Sequence, residues 1–191
     1  MTPRKAVENE LTREMIMEAA RDLFVENGYQ HTSMRQIAKK LNYSHGAIYY
    51  HFKNKAELFF ALVKANFSKL NEMLEEVIAS PLSSDEKLEK VLLSFIEYGM
   101  NNQSDYEIMF LIKDEELKSY TENAPDVSYE RFATVIMKLS PGQITLKETW
   151  LLFLSLHGFV TMYCRSGQTM ADVGELAEAH VQFLLKGIQS N

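Results

Sequence analysis

The chain has 191 residues, 46% of them apolar and 24% charged, with a formal net charge of −6, which is enough to bury a core in one or two domains and too apolar for a disordered chain. One cysteine, Cys164, excludes a disulfide framework and a sulfur-based structural metal site, and fits a reducing, cytoplasmic setting. Met1-Thr2-Pro3-Arg4-Lys5 runs into charge rather than into the apolar core of a signal peptide. The most apolar window, Thr149 to Cys164, is 16 residues long, short of the roughly 20 that a bilayer demands, so neither export nor a membrane is expected.

Apolar residues recur at helical spacing nearly throughout, as in Leu11, Met15, Ala19 and Leu23 and again in Leu70, Leu74 and Val77, and no stretch alternates as a strand does. The fold class is therefore all-α. Spacing and stop signals predict helices over 8–27, 34–41, 45–51, 55–79, 85–103, 105–119, 126–139, 144–166 and 172–188. Asn27-Gly28 ends the first, Ser80-Pro81 the fourth, and Ser140-Pro141-Gly142 parts the seventh from the eighth. The chain divides into a three-helix N-terminal domain, 1–54, and a C-terminal helical domain, 55–191, with the helix of 55–79 as a rigid joint.

Charge is placed unevenly over these parts. Residues 1–58 carry nine Lys and Arg against seven Asp and Glu, whereas residues 59–191 carry eleven against nineteen. Gly28 to Ala56 holds Arg35, Lys39, Lys40, Lys53 and Lys55, with His31, His45 and His51, and no acid. Such a run is either a solvated face or a phosphate-contacting surface.

Within it, two short helices, Met34 to Leu41 and His45 to His51, follow one another across a brief turn, which is helix-turn-helix spacing. Thr32 or Ser33 can cap the first and Ser44 the second, each cap contributing about 1 kcal/mol. Ile37, Ala38 and Leu41 form an apolar seam against Ala47, Ile48 and Phe52, which leaves His45, Gly46, Tyr49 and Tyr50 facing outward. Small residues at 46 and 47 allow close approach to base edges. Asn54-Lys55-Ala56-Glu57 is a capping-box pattern whose N–H groups, with Lys55, suit a phosphate.

Ala20, Leu23-Phe24, Gly28-Tyr29, Thr32-Ser33-Met34, Ile37-Ala38, Gly46, Ile48-Tyr49, His51-Phe52, Lys55 and Leu58 fall in the order and spacing of the TetR family's DNA-binding domain, and the chain resembles that family from about Arg13 to Leu58. The resemblance implies a homodimeric transcriptional regulator whose second short helix enters the major groove of double-stranded DNA. Phosphate contacts would fall on Thr32 or Ser33, Tyr49, His51 and Lys55, and base contacts on Ser44, His45, Gly46 and Tyr50; Arg35 of the basic run joins them. Asn42-Tyr43 stands where Gly-Val is commoner, so Asn42 is expected at positive φ, which Asn tolerates. One reading helix distinguishes only a few base pairs at about 1–3 kcal/mol each. Two copies are needed, about 34–36 Å apart over a near-palindromic operator.

In the C-terminal domain the helix of 144–166 is apolar on nearly all sides, so a partner is expected to cover part of it. Trp150, Leu154, Phe159 and Met162, with Val173, Leu176, His180, Phe183 and Leu184 of the last helix, are the candidate dimer interface. Phe95, Tyr98, Met109, Phe110, Met137, Phe153 and His157 are the candidate pocket for an unidentified small-molecule effector that would release the protein, a repressor, from its operator. Glu97 and Glu107 amid apolar neighbours suit a cationic or polar effector or are exposed acids. The alternatives are a DNA-binding regulator with no small-molecule effector and, further off, a small helical enzyme. For the latter only His157 and Cys164 share a helical face, without an orienting carboxylate, so no catalytic site is expected. Asp114-Glu115-Glu116 is contiguous and reads as a solvated helix end, so no metal and no cofactor are expected.

Overall fold

A computed structural model describes residues 10–112, 114, 116–117, 124–140 and 144–189, with the side chains of 124–128 and 189 left aside. Among the described residues the regular elements are nine helices and no strand: α1 (Arg13–Asn27), α2 (Met34–Leu41), α3 (His45–His51), α4 (Lys55–Ala79), α5 (Ser84–Asn101), α6 (Gln103–Phe110), α7 (Ala124–Leu139), α8 (Leu146–Tyr163) and α9 (Met170–Gln189).

Side-chain caps set most of these starts. The Thr12 hydroxyl accepts from the Met15 N–H at 3.2 Å, so α1 begins at Arg13; of the start expected at residue 8, 10–12 are not helical, and 8 and 9 lie outside the described residues. Ser33 and Gln36 close a full capping box at α2, as Ser83 and Glu86 do at α5 and Thr145 and Glu148 at α8. Each satisfies N–H groups that have no partner within the helix. Gly28 stops α1 with φ +78°, and Asn42 stops α2 with φ +61°, the left-handed geometry expected of it.

Two of the later helices end several residues before their spacing suggests. Of the helix expected over 105–119, α6 ends at Phe110, where the Glu107 carbonyl accepts both the Leu111 and Ile112 N–H groups; 116 and 117 are helical again, and 113, 115, 118 and 119 lie outside the described residues. The helix expected to reach residue 166 ends at Tyr163, because Cys164 leaves helical geometry and Arg165 turns to φ +66°.

The N-terminal helices close on Ile16, Ala20, Phe24, Ile37, Ile48 and Phe52, all buried, and on a cluster in which the Phe24, Tyr29 and Phe59 rings lie 5.3–5.6 Å apart. Since Phe59 belongs to α4, that helix is rooted in this small core while its later turns enter the larger one. In the larger body α5 is central and packs against α4, α6, α7, α8 and α9. Its crossing with α8 is so close that a Cβ on Gly99 would lie 2.5 Å from a Val160 methyl.

Head and body are braced through α6. Its Asp105, buried, pairs with Arg21 of α1 at 2.5 Å and with Lys69 of α4 at 3.5 Å. Its Glu107, also buried, takes the Arg165 guanidinium, which in turn donates to the Val25 carbonyl of α1 at 3.3 Å. Buried carboxylates persist only when paired in this way. No helix among the described residues is long and apolar enough to cross a membrane.

Candidate nucleic-acid interface and effector cavity

Helix α3 is fastened from behind and open in front. Ile48 and Phe52 are fully buried, Ala47 is half-buried, and the Ser44 hydroxyl caps the helix by accepting from the Ala47 N–H at 3.2 Å. Arg13 of α1 holds its far end, with the guanidinium 4.0 Å above the Phe52 ring and a bond to the His51 carbonyl at 2.5 Å. The residues left are His45, Gly46, Tyr49 and Tyr50, whose pairs three and four apart place them side by side, and all are exposed. Tyr49 leans edge-on against His45, with ring centres 4.7 Å apart, while Tyr50 is 88% exposed. The expected reading face is thus brought together as a single surface. His51, half-buried, touches Tyr50 at its edge.

Two of the expected phosphate contacts are engaged within the head, Thr32 buried and Lys55 half-buried. Thr32 is buried, and its hydroxyl donates to the Leu23 and Gly28 carbonyls at 2.9 Å, so it closes the end of α1 rather than meeting a ligand. The Lys55 ammonium donates to the Tyr29 carbonyl at 2.8 Å and lies 3.9 Å above the Tyr29 ring, which makes it a strap between α4 and the loop after α1. Ser33 is exposed at the start of α2, where its hydroxyl serves the capping box. Arg35 is exposed, as are Lys39 and Lys53, whereas Lys40 is held by Asp22 at 2.7 Å. Lys53 belongs to the basic run but not to the expected contacts; the capping bond from its N–H to Glu57 at 2.8 Å fixes its backbone beside the reading helix.

In the body, Phe95, Phe110 and Phe153 of the expected pocket do converge, and Leu70, Leu74, Tyr129 and Phe132 complete the lining. The void between them is about 10 Å³, the size of one water molecule. His157 stands behind this wall, stacked on Phe153 and bonded through Nδ1 to the Tyr106 hydroxyl at 2.6 Å. Burial pushes the Tyr106 phenol far above its ordinary range. Tyr98 is turned toward α4, with its hydroxyl on the Asn66 carbonyl at 3.0 Å and 3.7 Å from the Met109 sulfur; burial, and then the Asp105 charge, raise it likewise. Met137 is 42% exposed and lies outside the pocket, a correction to the expected set: it faces out from α7 while Phe132, Val135 and Ile136 face in. Neither acid is available to a cationic effector in the manner expected, since Glu107 holds Arg165 and Glu97 pairs with Lys90 at 3.3 Å.

The candidate dimer residues also divide. Phe159 and Val173 are buried by the chain itself and so leave the expected interface, whereas Leu184 is half-buried and keeps part of its surface. Half-buried His180 is met by the Ser155 hydroxyl at 3.1 Å. Trp150, Leu154, Met162, Leu176 and Phe183 remain exposed, and Leu151 joins them. His157 and Cys164 are engaged apart from each other, the thiol meeting the Gln103 carbonyl at 3.7 Å. Burial, and then Glu107, push that thiol up from its ordinary value, with Arg165 opposing. No cluster of three metal-ligating side chains occurs among the described residues.

An all-α body behind a capped helix-turn-helix defines a class, and the comparisons with known proteins agree. Residues 16–62, which run from α1 into α4, match the profile of bacterial regulatory proteins, tetR family. The HTH-type transcriptional regulator YhgD of Bacillus subtilis is 31% identical over 91 residues, 48% of either chain, so the match spans about half of that relative's length. YfiR, another HTH-type transcriptional regulator of Bacillus subtilis, aligns over the whole of this chain and 99% of its own at 25% identity. Among solved structures, FadR from Bacillus subtilis, in complex with stearoyl-CoA, shares the fold with a TM-score of 0.77 over 92% of this chain and 99% of that one, at 19% identity.

Proposed function

We propose that the chain is a cytoplasmic, non-enzymatic transcriptional repressor that binds a near-palindromic operator as a homodimer and leaves it when a small molecule enters the body. The observation that carries this reading is α3, whose buried side holds it rigid while His45, Gly46, Tyr49 and Tyr50 stand exposed on the other. Gly46 has ordinary helical geometry, and a Cβ there would meet nothing within 4 Å, so the fold does not require a glycine. Its use is to keep the surface low where a base edge approaches. Arg35, Lys39 and Lys53 flank that face as phosphate contacts in a protein whose overall charge is negative.

Duplication follows from the exposed apolar residues of α8 and α9, Leu151, Leu154, Met162, Leu176 and Phe183, which a second copy would cover. We divide the chain at 54/55, where α4 starts and can pass a shift of the body to the head. Footprinting on duplex fragments from the chain's own promoter, with light scattering for mass, tests the reading. Protection over two half-sites one DNA turn apart by a dimer is expected, and a monomer that ignores those fragments in dilute buffer would sink it.

A second reading, a regulator with no small-molecule effector, draws support from the body's cavity, which has room for only about one water. Against it stands a solved relative in fold that holds stearoyl-CoA.

A further inference from the structure

Helix α4 turns the side chains at 62, 66, 70 and 74 toward the interior, four apart and all buried, and three of the four are leucine. The exception is Asn66. It is fully buried, and neither its amide nitrogen nor its amide oxygen has a hydrogen-bond partner. An unmatched buried amide is strongly disfavoured on both its donor and its acceptor side, and such groups are rare enough that each calls for a reason. Asn66 stands one turn before Leu70, which lines the aromatic cavity, and on the same stripe. Its own backbone carbonyl is occupied by Tyr98, so the side-chain amide is what remains unused at this position.

We propose that Asn66 is the polar handle of the effector site, and that the effector is an uncharged, mainly aromatic or aliphatic molecule carrying one amide-like head that both donates and accepts. The inference rests on the effector-controlled reading above and adds the ligand's chemistry to it. The cavity lining carries no charged residue, and its phenylalanines and leucines would surround the ligand's apolar part. The buried acids among the described residues, Asp105 and Glu107, already hold arginines. A charged head would thus be buried without a counter-ion, at a cost no neighbour offsets. A primary amide or lactam head matches the Asn66 side chain on both sides. Entry displaces the rings that now close the void, so the unliganded state is the collapsed one.

Four probes with one apolar body test this: 3-phenylpropanamide, 3-phenylpropanoate, 3-phenylpropan-1-amine and propylbenzene. Binding to the purified full chain is measured without DNA by calorimetry and by the shift in Tm. The amide is expected to bind about tenfold more tightly than propylbenzene, as one to two well-made hydrogen bonds allow, and the two charged probes not at all. Asn66→Leu is expected to raise the Tm of the unliganded protein, keep propylbenzene binding and lose the amide's tenfold advantage. Asn66→Val serves the same comparison if leucine overfills the site. Equal amide binding by wild type and both variants, comparable binding of the charged probes, or no binding by any of the four would overturn the proposal. Because these arms contain no DNA, they fail or succeed independently of operator binding. In a final arm the amide is expected to lower operator affinity of the wild type and not of Asn66→Leu, and binding without release would overturn the effector role.

Discussion

The head and the body of this molecule are finished to different degrees. In the head, α1, α2 and α3 each begin on a side-chain cap, from Thr12, Ser33 and Ser44. Its loop carbonyls are met by Thr32 and Lys55, and its aromatic cluster is enclosed. The body has the larger core, yet it leaves an amide unmatched at Asn66 and large apolar side chains in water, with Met162 76% and Phe183 73% exposed. The contrast teaches that the head's local structure closes largely on itself, whereas the body leaves a buried amide and an apolar surface that the proposed ligand and second copy would cover.

Substitutions that touch only one of the two regions can break that contrast. The largest effect is expected at Gly99. A Cβ there meets both Val160 methyls, at 2.5 and 2.9 Å, and the Tyr106 ring at 3.0 Å. Gly99→Ala should therefore overpack the α5–α8 crossing by about 1–3 kcal/mol, a fall in Tm of about 2–12 °C for a chain of this size. Adding Val160→Ala should recover part of the loss, because the clash goes with the methyls. A Gly99→Ala variant as stable as wild type would show that the body yields more easily than its packing implies.

Next comes Tyr50→Ala, which should leave the Tm unchanged, since the side chain is 88% exposed, while discrimination between the operator and a mismatched site falls by about 1–3 kcal/mol for each base pair read. Competition binding with operator variants measures it. A drop in Tm, or uniform weakening on all sequences, would place Tyr50 in the fold or on phosphate instead.

The division between what the residues announce and what only the structure supplies follows the same line. Helices 34–41, 45–51 and 55–79 are found with the bounds that spacing predicts, because Ser33, Ser44, Asn54 and the left-handed Asn42 are local signals that act within four residues. The roles of Thr32 and Lys55 are not local. Their partners, Leu23, Gly28 and Tyr29, sit up to 26 residues away, and a hydroxyl or ammonium beside a reading helix looks the same in sequence whether it faces in or out. The Arg21–Asp105 and Arg165–Glu107 braces span greater separations still and leave no periodic trace. In α8, apolar residues surround the helix, so periodicity does not separate Phe159, which the subunit buries itself, from Met162, which it leaves exposed.

Lysines sharpen the comparison within the head. Lys55→Ala should cost about 1 kcal/mol of stability through removal of the strap on Tyr29 with little change in the salt dependence of DNA binding. Lys53→Ala should do the reverse, with stability kept and the slope of log K against log salt reduced by about one for each phosphate that the lysine neutralises. Titrations at several salt concentrations, beside thermal melts, separate the two. A reduced slope for Lys55→Ala with an unchanged Tm would return that residue to the DNA surface.

The smallest expected effect lies where the body meets the head. The Cys164 thiol is raised by burial and then by Glu107, against the pull of Arg165. In the folded chain it keeps its proton to higher pH than in the unfolded one, so the stability linked to it is present below the ordinary thiol range and lost as pH climbs through the raised value. Alkylation by iodoacetamide, which consumes the thiolate, should accordingly be slower at pH 8 to 9 in the native protein than in the urea-unfolded chain. Glu107→Gln should speed it, because the carboxylate that disfavours the thiolate is gone while Arg165 remains. Unchanged reactivity in that variant would mean that burial alone holds the proton, and that the Arg165–Glu107 brace does not reach the sulfur across the turn that joins α8 to α9.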